Sequence, residues 1–416
     1  MSAASIAPGD EVDIPLLAIE SNAMMLYGEG ITTMQFYKGE ISKAKDFLMS
    51  RLVEVASKNP WITSSLVQDK KKHGKLVAMR YLKDTANAVE RIFTQNDSIK
   101  LSEDMKYAEI MKCVSESTAH IPSGYTLIKS QRAVCSLTLT PTGDTSYCVV
   151  FSMSHVVGDG HTYYSILNML STEGKIFPMV VTRDEKLRND LPSEVGEKEY
   201  QVMTNPSCMQ IMNYLAVYAT SKKVIPKCYY IDKDKLNTEK EKAKQEKDAP
   251  EFISANDVIT SGFAKTIDAE MLTMAMDFRG KLSGLTKEHA GCYHLGVVFG
   301  REGYESPNTI RKALTSPAPY SRCEKLPGWC IYGNYSGVIS NWSSLCKGGL
   351  VIPDATQTLH IPFIDITSMT TDICVVFNAK PGKIAIMVAL QHGDENTLKK
   401  EIPCLSDESV NEKMFG

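Results

Sequence analysis

The stretch FSMSHVVGDGH (residues 151–161) combines an apolar run, a histidine, and an aspartate between Gly158 and Gly160. The run is typical of a buried strand, and the YYSILNML that follows has apolar residues at helical spacing. His155 and Asp159 are therefore predicted to lie on the connection between a strand and a helix. A neutral imidazole can take up a proton at cellular pH, so this connection is a candidate site for proton transfer.

The segments before this stretch have clear periodicity. Residues 41–60 place apolar side chains on one face ahead of Pro60, which predicts an amphipathic helix with Ser42 as a candidate cap. Residues 135–155 contain two apolar runs around a Pro-Thr-Gly-Asp turn, which predicts a β-hairpin whose second strand leads to His155.

The second half of the chain mixes helical and strand signals. The segment 232–250 alternates acidic and basic residues, which favours an exposed helix with ion pairs three residues apart over a disordered linker. Ser254 and Asp257 have the spacing of a capping box ahead of an apolar helix. Five later runs have the composition of strands: AMDFRGKL, GCYHLGVVF, GVISNWSSL, DICVVFN and KIAIMVAL.

The 416 residues exceed the size at which a single core usually stops growing, so two domains are expected. Prolines punctuate a region of mixed polarity near the middle, which we interpret as a connector. The expected division is a first domain over 1–172, a connector over 173–225 with one helix near 208–219, and a second domain over 226–416. Each domain is expected to combine a mixed sheet with flanking helices, an α/β (α+β) fold.

Composition argues against several classes of protein. With 43% hydrophobic residues, 23% charged residues and a net charge of −3, nucleic acid is not expected as the main partner. No run reaches the roughly 18 apolar residues of a membrane span, and the start of the chain lacks the features of a secretory signal. The eleven cysteines form no C-x-x-C pair, so we expect reduced thiols, a cytoplasmic protein and no metal centre.

The H-x-x-x-D-G pattern, with a strand before it and a helix after it, resembles the motif of coenzyme A-dependent acyltransferases and condensation enzymes. The opening LLAIESNAMMLYGEGITTMQFYKG, the amphipathic helix, the His155 region, KDKL…ISANDVI and AMDFRGKL follow one another in the order found in BAHD-type acyltransferases. This resemblance implies two chloramphenicol-acetyltransferase-like domains with an active-site tunnel at their interface. We also expect a monomer.

The resemblance implies a role for each residue of the motif. His155 would be the general base that takes a proton from an acceptor alcohol or amine and returns it to the departing thiolate. Asp159 would pair with Arg279 rather than touch substrate, and so would hold the loop. Gly158 and Gly160 would let the backbone turn sharply and a substrate approach closely.

The resemblance also implies contacts in the second half. Ser340 of VISNWSSL would donate a hydrogen bond to the oxyanion, and Trp342 would shape the acceptor pocket. Ser254 and Asp277 would contact acyl-coenzyme A, which is expected as a co-substrate rather than a permanently bound cofactor. The lysine-rich segment 233–247 offers cations for a phosphate, although a solvated helix face explains the same lysines.

Structural alternatives stay open for these residues. His155 and Asp159 could be a hydrogen-bonded core histidine and a helix cap, and Trp342 could be a core residue. A Cys-His-Asp nucleophilic enzyme is a further alternative, because Cys135 and Cys148 lie upstream within apolar strands.

The sequence departs from the family pattern at three places. The DFGWG motif of plant BAHD enzymes is absent, YHLGVVF replaces the Y-x-G-N segment, and Ser154 stands where peptide-synthetase condensation domains place an additional histidine. The acyl group and the acceptor are therefore not indicated. Two alternative functions are a stand-alone condensation-type enzyme that uses a carrier-bound acyl donor and an inactive binding protein of the same fold.

Overall fold

The fold is described from a computed structural model that covers residues 11–69, 76–83, 88–221, 224–333, 335–346, 349–364 and 370–416. In these ranges the strands are β1 (Glu11–Pro15), β2 (Ile31–Lys38), β3 (Ser65–Gln68), β4 (Val77–Leu82), β5 (Phe93–Gln95), β6 (Cys135–Gly143), β7 (Ser146–Met153), β8 (Lys227–Ile231), β9 (Met271–Asp277), β10 (His294–Phe299), β11 (Ser336–Asn341), β12 (Thr356–Phe363), β13 (Asp372–Lys380), β14 (Lys383–Ala389) and β15 (Leu405–Ser409).

The α-helices in the same ranges are α1 (Ala23–Tyr27), α2 (Ile41–Lys58), α3 (Tyr107–Ser115), α4 (Gly124–Ser130), α5 (Gly160–Met169), α6 (Glu185–Asn189), α7 (Leu191–Val195), α8 (Glu197–Thr204), α9 (Cys208–Thr220), α10 (Lys233–Lys244), α11 (Ala255–Thr266), α12 (Arg301–Tyr304), α13 (Pro307–Thr315), α14 (Glu395–Glu401) and α15 (Glu412–Phe415). Short 3₁₀ helices cover Pro60–Thr63, Val89–Arg91 and Gly328–Cys330.

The chain forms two compact units, and each is discontinuous in sequence. The first unit comprises the described parts of 1–187, 279–293 and 345–364, and the second those of 188–278, 294–344 and 365–416. This arrangement differs from the expected continuous domains 1–172 and 226–416, because two late segments return to the first unit. Segment 345–364 does so because its strand β12 pairs with β2 over seven residues of that segment, from Thr356↔Lys38 to Phe363↔Thr32.

The first unit contains a five-stranded mixed sheet in the order β12-β2-β7-β6-β5 and a smaller sheet β1-β4-β3. Strands β6 and β7 form the predicted antiparallel hairpin, although its turn lies at 144–145, because β6 extends to Gly143. Strand β7 is buried over seven of its eight residues and ends at Met153. Helix α5 then begins at Gly160, which confirms that the H-x-x-x-D-G stretch connects a strand to a helix.

Helix α2 of the first unit confirms the amphipathic helix predicted over 41–60. Its buried face is formed by apolar side chains at helical spacing: Ala44, Leu48, Leu52, Val55 and Ala56. Ser42 is not its cap, because the residue before the helix is Glu40, which makes no side-chain cap hydrogen bond.

The second unit is built on one seven-stranded sheet in the order β10-β9-β11-β13-β14-β8-β15. Strands β9, β11 and β13 run parallel to one another, and the other neighbours are antiparallel. All five predicted runs overlap strands of this sheet, although AMDFRGKL contributes only its first three residues because β9 ends at Asp277. The fold is therefore a mixed α/β fold in both units, as the sequence predicted.

The local helix predictions in the second unit are also confirmed. Helix α10 carries the expected ion pairs, with Lys242 Nζ 2.7 Å from Glu239 and Lys244 Nζ 2.8 Å from Glu241. Ser254 forms a capping box at the start of α11. The predicted connector is largely helical, since α6 to α9 fall within 173–225.

Among the residues described, none of the helices has the length and apolarity needed to span a bilayer. In that same part of the chain, no cluster of three or more histidine, cysteine or acidic side chains is placed to hold a metal ion.

Candidate active site

His155 lies on the loop between β7 and α5 in the first unit, and its side chain is half-buried. The loop is anchored immediately before the histidine, because the Ser154 N–H donates to the Val134 carbonyl at 2.8 Å. It is anchored again after the histidine, where the Val157 carbonyl accepts from Arg183 Nη2 at 2.7 Å. The histidine therefore projects from a backbone that is fixed on both sides.

Asp159 is only 1% exposed, and both of its carboxylate oxygens accept hydrogen bonds. Its Oδ1 accepts from the backbone N–H of Thr162 at 3.0 Å and from the Thr162 hydroxyl at 3.1 Å. Its Oδ2 accepts from Arg279 Nη1 at 2.7 Å and from the Tyr293 N–H at 3.0 Å. Asp159 is therefore both the cap of α5 and the ion-pair partner of Arg279.

Arg279 is the partner that the resemblance implied, and its side chain is 0% exposed. Besides Asp159, its guanidinium donates to the carbonyls of His289 and Gly291, each at 2.8 Å. It also lies 5.2 Å from the ring centroid of Tyr293. These contacts compensate a buried charge that would otherwise be costly, so the pair locks segment 279–293 onto the loop.

Gly291 shows how closely this segment approaches the loop. Its N–H donates to the Thr162 hydroxyl at 3.1 Å, and its carbonyl accepts from the Asp159 N–H at 3.3 Å. The residue has φ of +136°, and a Cβ here would lie 3.0 Å from Tyr293 and 3.1 Å from Arg183. Glycine is therefore required at this position for both conformation and space.

Gly158 and Gly160 were both predicted to permit a sharp turn, and this prediction is wrong for their backbone conformation. Neither has a φ in the left-handed region, so the turn itself does not require glycine. At Gly158 a Cβ would lie 2.6 Å from the Thr162 side chain, so the missing side chain admits Thr162. At Gly160 the nearest atom would be Leu345 Cδ1 at an ordinary 3.4 Å. Close approach of a substrate at Gly160 stays a prediction.

Three residues near His155 were missed by sequence reasoning. The Cys292 thiol donates to the His155 carbonyl at 3.2 Å, and its Sγ lies 3.9 Å from His155 Nδ1. Glu20 accepts from the Cys292 N–H at 2.8 Å and pairs with Arg183. No local pattern identifies these residues, because each acts through partners more than 100 positions away.

The cysteines considered from sequence have a different environment. Cys135 and Cys148 are both buried within the first unit's sheet, and burial raises the pKa of each thiol well above its usual range. A thiol that resists ionisation is a poor nucleophile. The structure therefore disfavours a Cys-His-Asp enzyme built on either of them.

Ser340 and Trp342 lie in the second unit, and both are half-buried rather than core residues. The Trp342 indole N–H donates to the Ser340 hydroxyl oxygen at 2.9 Å. Asn341 between them accepts from the backbone N–H and the hydroxyl of Ser343 at 2.9 and 2.7 Å, so it acts as a turn residue. Since the indole occupies an acceptor position on Ser340, the Ser340 proton is directed away from Trp342.

Ser254 and Asp277 also lie in the second unit. The Ser254 hydroxyl accepts from the Asp257 N–H at 3.2 Å as the cap of α11. Asp277 ends β9 opposite His294. Their roles as coenzyme contacts stay predictions.

The structure thus brings together only part of the predicted site. Three motif residues and two predicted support residues belong to the first unit: His155, Asp159 and Gly160, with Gly158 and Arg279. The remaining candidates belong to the second unit: Ser254, Asp277, Ser340 and Trp342.

Comparison with known proteins gives a fold match and no sequence match. No family model and no curated protein matches the chain by sequence. Among solved structures, F. graminearum TRI101 complexed with coenzyme A and T-2 mycotoxin is 13% identical, with a TM-score of 0.62 over 96% of this chain and 100% of that one. Vinorine synthase is 12% identical, with a TM-score of 0.63 over 98% and 97%. The first condensation domain of the CDA synthetase is 12% identical, with a TM-score of 0.57 over 96% and 98%. At these identities the similarity establishes the fold that these proteins share.

Proposed function

We propose that the protein is an acyltransferase that moves an acyl group from an acyl-coenzyme A thioester to a hydroxyl or amine of a small-molecule acceptor. The observation that carries this proposal is the buried Asp159–Arg279 pair, which fixes the H-x-x-x-D-G loop while His155 at its start stays half-buried. A shared fold with TRI101, which was crystallised with coenzyme A and a small mycotoxin, supports the class of donor and acceptor.

In the proposed reaction His155 acts as the general base. The acceptor O–H or N–H transfers its proton to the imidazole as the acceptor oxygen or nitrogen attacks the thioester carbonyl carbon. The resulting oxyanion collapses, the carbon–sulfur bond breaks, and the imidazolium returns the proton to the coenzyme A thiolate. The products are the acylated acceptor and free coenzyme A, and the base ends in its starting state.

The oxyanion needs a hydrogen-bond donor, and we propose Ser340 for this role. The Trp342 indole N–H donates to the Ser340 oxygen at 2.9 Å, so the serine keeps its own proton for a second partner. A fixed donor of this type is already oriented before charge develops, which is why such donors stabilise transition states strongly. Trp342 then has two proposed roles, orienting Ser340 and shaping the acceptor pocket.

For the donor, we propose that Ser254 and Asp277 contact acyl-coenzyme A. The start of α11 offers backbone N–H groups next to Ser254, although the Asp257 N–H is already capped by the Ser254 hydroxyl. The lysines of α10 give weaker support, because Lys242 and Lys244 are already paired with glutamates.

We further propose a monomeric cytoplasmic enzyme. All eleven cysteines are free thiols, as expected for a reducing compartment. Size-exclusion chromatography with light scattering tests the oligomeric state directly.

The decisive experiment incubates the purified protein with a panel of acyl-coenzyme A donors and acceptor alcohols and amines, and measures the release of free thiol. We expect acceptor-dependent release with at least one pair, and loss of that release in His155→Ala. Release that persists in His155→Ala would show that another group is the base.

A second candidate function is a condensation-type enzyme that uses a carrier-bound acyl donor. The structural similarity to a condensation domain supports this candidate. The two candidates differ in whether free acyl-coenzyme A binds the folded protein. A ligand that binds only the folded state adds about 2.7 kcal/mol to the free energy of unfolding when it is present at one hundred times its Kd. The melting temperature rises as a result. A thermal shift with acyl-coenzyme A favours the acyltransferase, whereas a shift only with an acylated carrier protein favours the condensation-type enzyme.

A further inference from the structure

A second buried ion pair lies beside the H-x-x-x-D-G loop in the first unit. Glu20 and Arg183 have side chains that are 0% and 3% exposed, and Arg183 Nε is 3.0 Å from Glu20 Oε2. The proposed reaction uses neither residue. A buried pair is costly unless its remaining polar atoms are satisfied, so the other partners of these two side chains show what the pair holds in place.

Arg183 connects the loop to the segment that carries Cys292. Its Nη2 donates to the Val157 carbonyl at 2.7 Å, two residues after His155. Its Nη1 donates to the Ala290 carbonyl at 3.0 Å, two residues before Cys292. One guanidinium thus fixes the spacing between the backbone beside the histidine and the backbone beside the cysteine.

Glu20 fixes Cys292 itself. Its Oε1 accepts the Cys292 N–H at 2.8 Å, and its Oε2 accepts the Leu17 N–H at 2.9 Å. The backbone of Cys292 therefore depends on a buried carboxylate that is paired with Arg183.

The thiol of Cys292 contacts His155 at two points. Its S–H donates to the His155 carbonyl at 3.2 Å, and its Sγ lies 3.9 Å from Nδ1 of the imidazole. Because the thiol proton is directed to the carbonyl, Sγ meets Nδ1 as an acceptor, which favours a proton on Nδ1. The hydrogen bond made at one ring nitrogen decides which nitrogen is protonated, so the lone pair is left on Nε2.

We propose that Cys292 is a positioning residue for His155, and that the Glu20–Arg183 pair holds Cys292 in place. The inference rests on the proposed function, in which His155 is the general base. The thiol selects the Nδ1–H tautomer and so presents the Nε2 lone pair to the acceptor proton. The opposite tautomer would present an N–H and could not accept that proton. No covalent bond forms at Cys292 in this scheme.

Cys292→Ala is the primary test, with Cys346→Ala as its control, because Cys346 is an equally buried cysteine of the same unit. We expect Cys292→Ala to lower kcat by about 10- to 100-fold, the size of effect that slight misplacement of a reacting group produces, with KM for acyl-coenzyme A unchanged. Cys292→Ser keeps a donor and an acceptor and should recover part of the loss. Unchanged kcat in Cys292→Ala would overturn the proposal.

The second readout is independent of activity. In protein labelled with ¹⁵N-histidine, His155→Ala identifies the His155 ring signals by their disappearance. We expect wild type to show Nδ1 protonated and Nε2 unprotonated, and Cys292→Ala to show a mixture of tautomers. A wild-type spectrum with Nε2 protonated would overturn the proposal even if the enzyme proves active. If no donor is turned over, the proposed function fails while the tautomer measurement still decides the role of Cys292.

Glu20→Gln tests the support of the cysteine. It keeps the shape of the side chain but removes the charge that pairs with Arg183, and Asp372→Asn is the control for loss of a fully buried carboxylate elsewhere. We expect only Glu20→Gln to mix the His155 tautomers. A Glu20→Gln protein that folds and keeps the wild-type His155 signals would remove Glu20 from the proposal. If Glu20→Gln does not fold, the two Cys292 variants carry the test.

Discussion

Arg279 donates a 2.7 Å hydrogen bond to Asp159 across 120 residues of sequence, and both side chains are at most 1% exposed. Removing either partner leaves the other as an unpaired charge in the interior, which is far more costly than the loss of a surface ion pair. The pair is thus a constraint that ties the loop after β7 to a segment entering from much later in the chain. Asp159 and Arg279 thus stabilise the loop, whereas His155 supplies the proposed chemistry.

This separation predicts different outcomes for two alanine variants. Asp159→Ala should lower the free energy of unfolding by about 3–5 kcal/mol and abolish transfer, because it leaves Arg279 unpaired. His155→Ala should abolish transfer with little loss of stability, since a half-buried loop side chain contributes little packing. Urea denaturation of both variants, with exposed Asp144→Ala as the control, measures the difference. Asp159→Ala melting like wild type would falsify the assignment of the pair as the element that holds the loop.

The motif glycines give a second matched comparison. Gly158→Ala should destabilise the fold by about 1–3 kcal/mol, because the new methyl group overlaps the buried, β-branched Thr162. Gly160→Ala should melt like wild type, since the new Cβ would make only an ordinary 3.4 Å contact with Leu345 Cδ1. If a substrate passes close to Gly160, the same variant raises KM while its thermal melting curve stays unchanged. Equal melting temperatures for the two variants would contradict this division.

Local signals account for what the sequence predicted correctly. Helix α2, the β6–β7 hairpin and the Ser254 capping box depend on residues within a few positions of one another, so periodicity and spacing identify them. Strand β12 was missed, because TQTLHIPF includes a proline and polar residues and is stabilised by pairing with β2 from the other end of the chain. The partnership of Glu20 with Arg183 was missed for the same reason. Only Arg279 was placed correctly at long range, and that came from the family pattern rather than from its neighbours.

Thiol reactivity tests the burial of the cysteines. Cys208 on α9 is exposed, whereas burial raises the pKa of Cys346 to about 11 and that of Cys135 well beyond its usual range. We expect iodoacetamide at pH 8 to modify Cys208 first in the native protein, because the thiolate is the reactive form. Peptide mapping by mass spectrometry follows the order, and Cys208→Ser should remove the fastest phase. Early labelling of Cys135 would show that the sheet of the first unit opens in solution.

The proposed oxyanion donor is tested by Ser340→Ala. Loss of one such donor typically lowers kcat by 10²- to 10³-fold, and the half-buried Ser340 on β11 should tolerate the change with little loss of stability. Ser343→Ala is the control, because its hydroxyl contacts Asn341 in the neighbouring turn. Trp342→Phe should produce a smaller loss in kcat, since Ser340 keeps its own hydroxyl and loses only the indole N–H that orients it. Wild-type kcat in Ser340→Ala would assign the oxyanion to another donor.

Transfer should proceed through a ternary complex in which no acyl group becomes attached to the protein. Direct attack by the acceptor needs one base, and His155 supplies it, whereas a covalent route needs an ionised nucleophile next to that base. The Cys292 thiol contacts the imidazole, but its proton is engaged by the His155 carbonyl and its side chain is almost wholly buried. Intact-mass spectrometry after mixing the protein with acyl-coenzyme A alone should therefore show no stoichiometric adduct, and initial rates with both substrates varied should give intersecting rather than parallel reciprocal plots. Cys292→Ser separates the two routes further, because a hydroxyl can still position His155 but cannot replace a thiolate nucleophile. An acyl adduct on Cys292 that is released by the acceptor would mean that His155 serves this thiol, and that the cysteine is a catalytic residue rather than a positioning one.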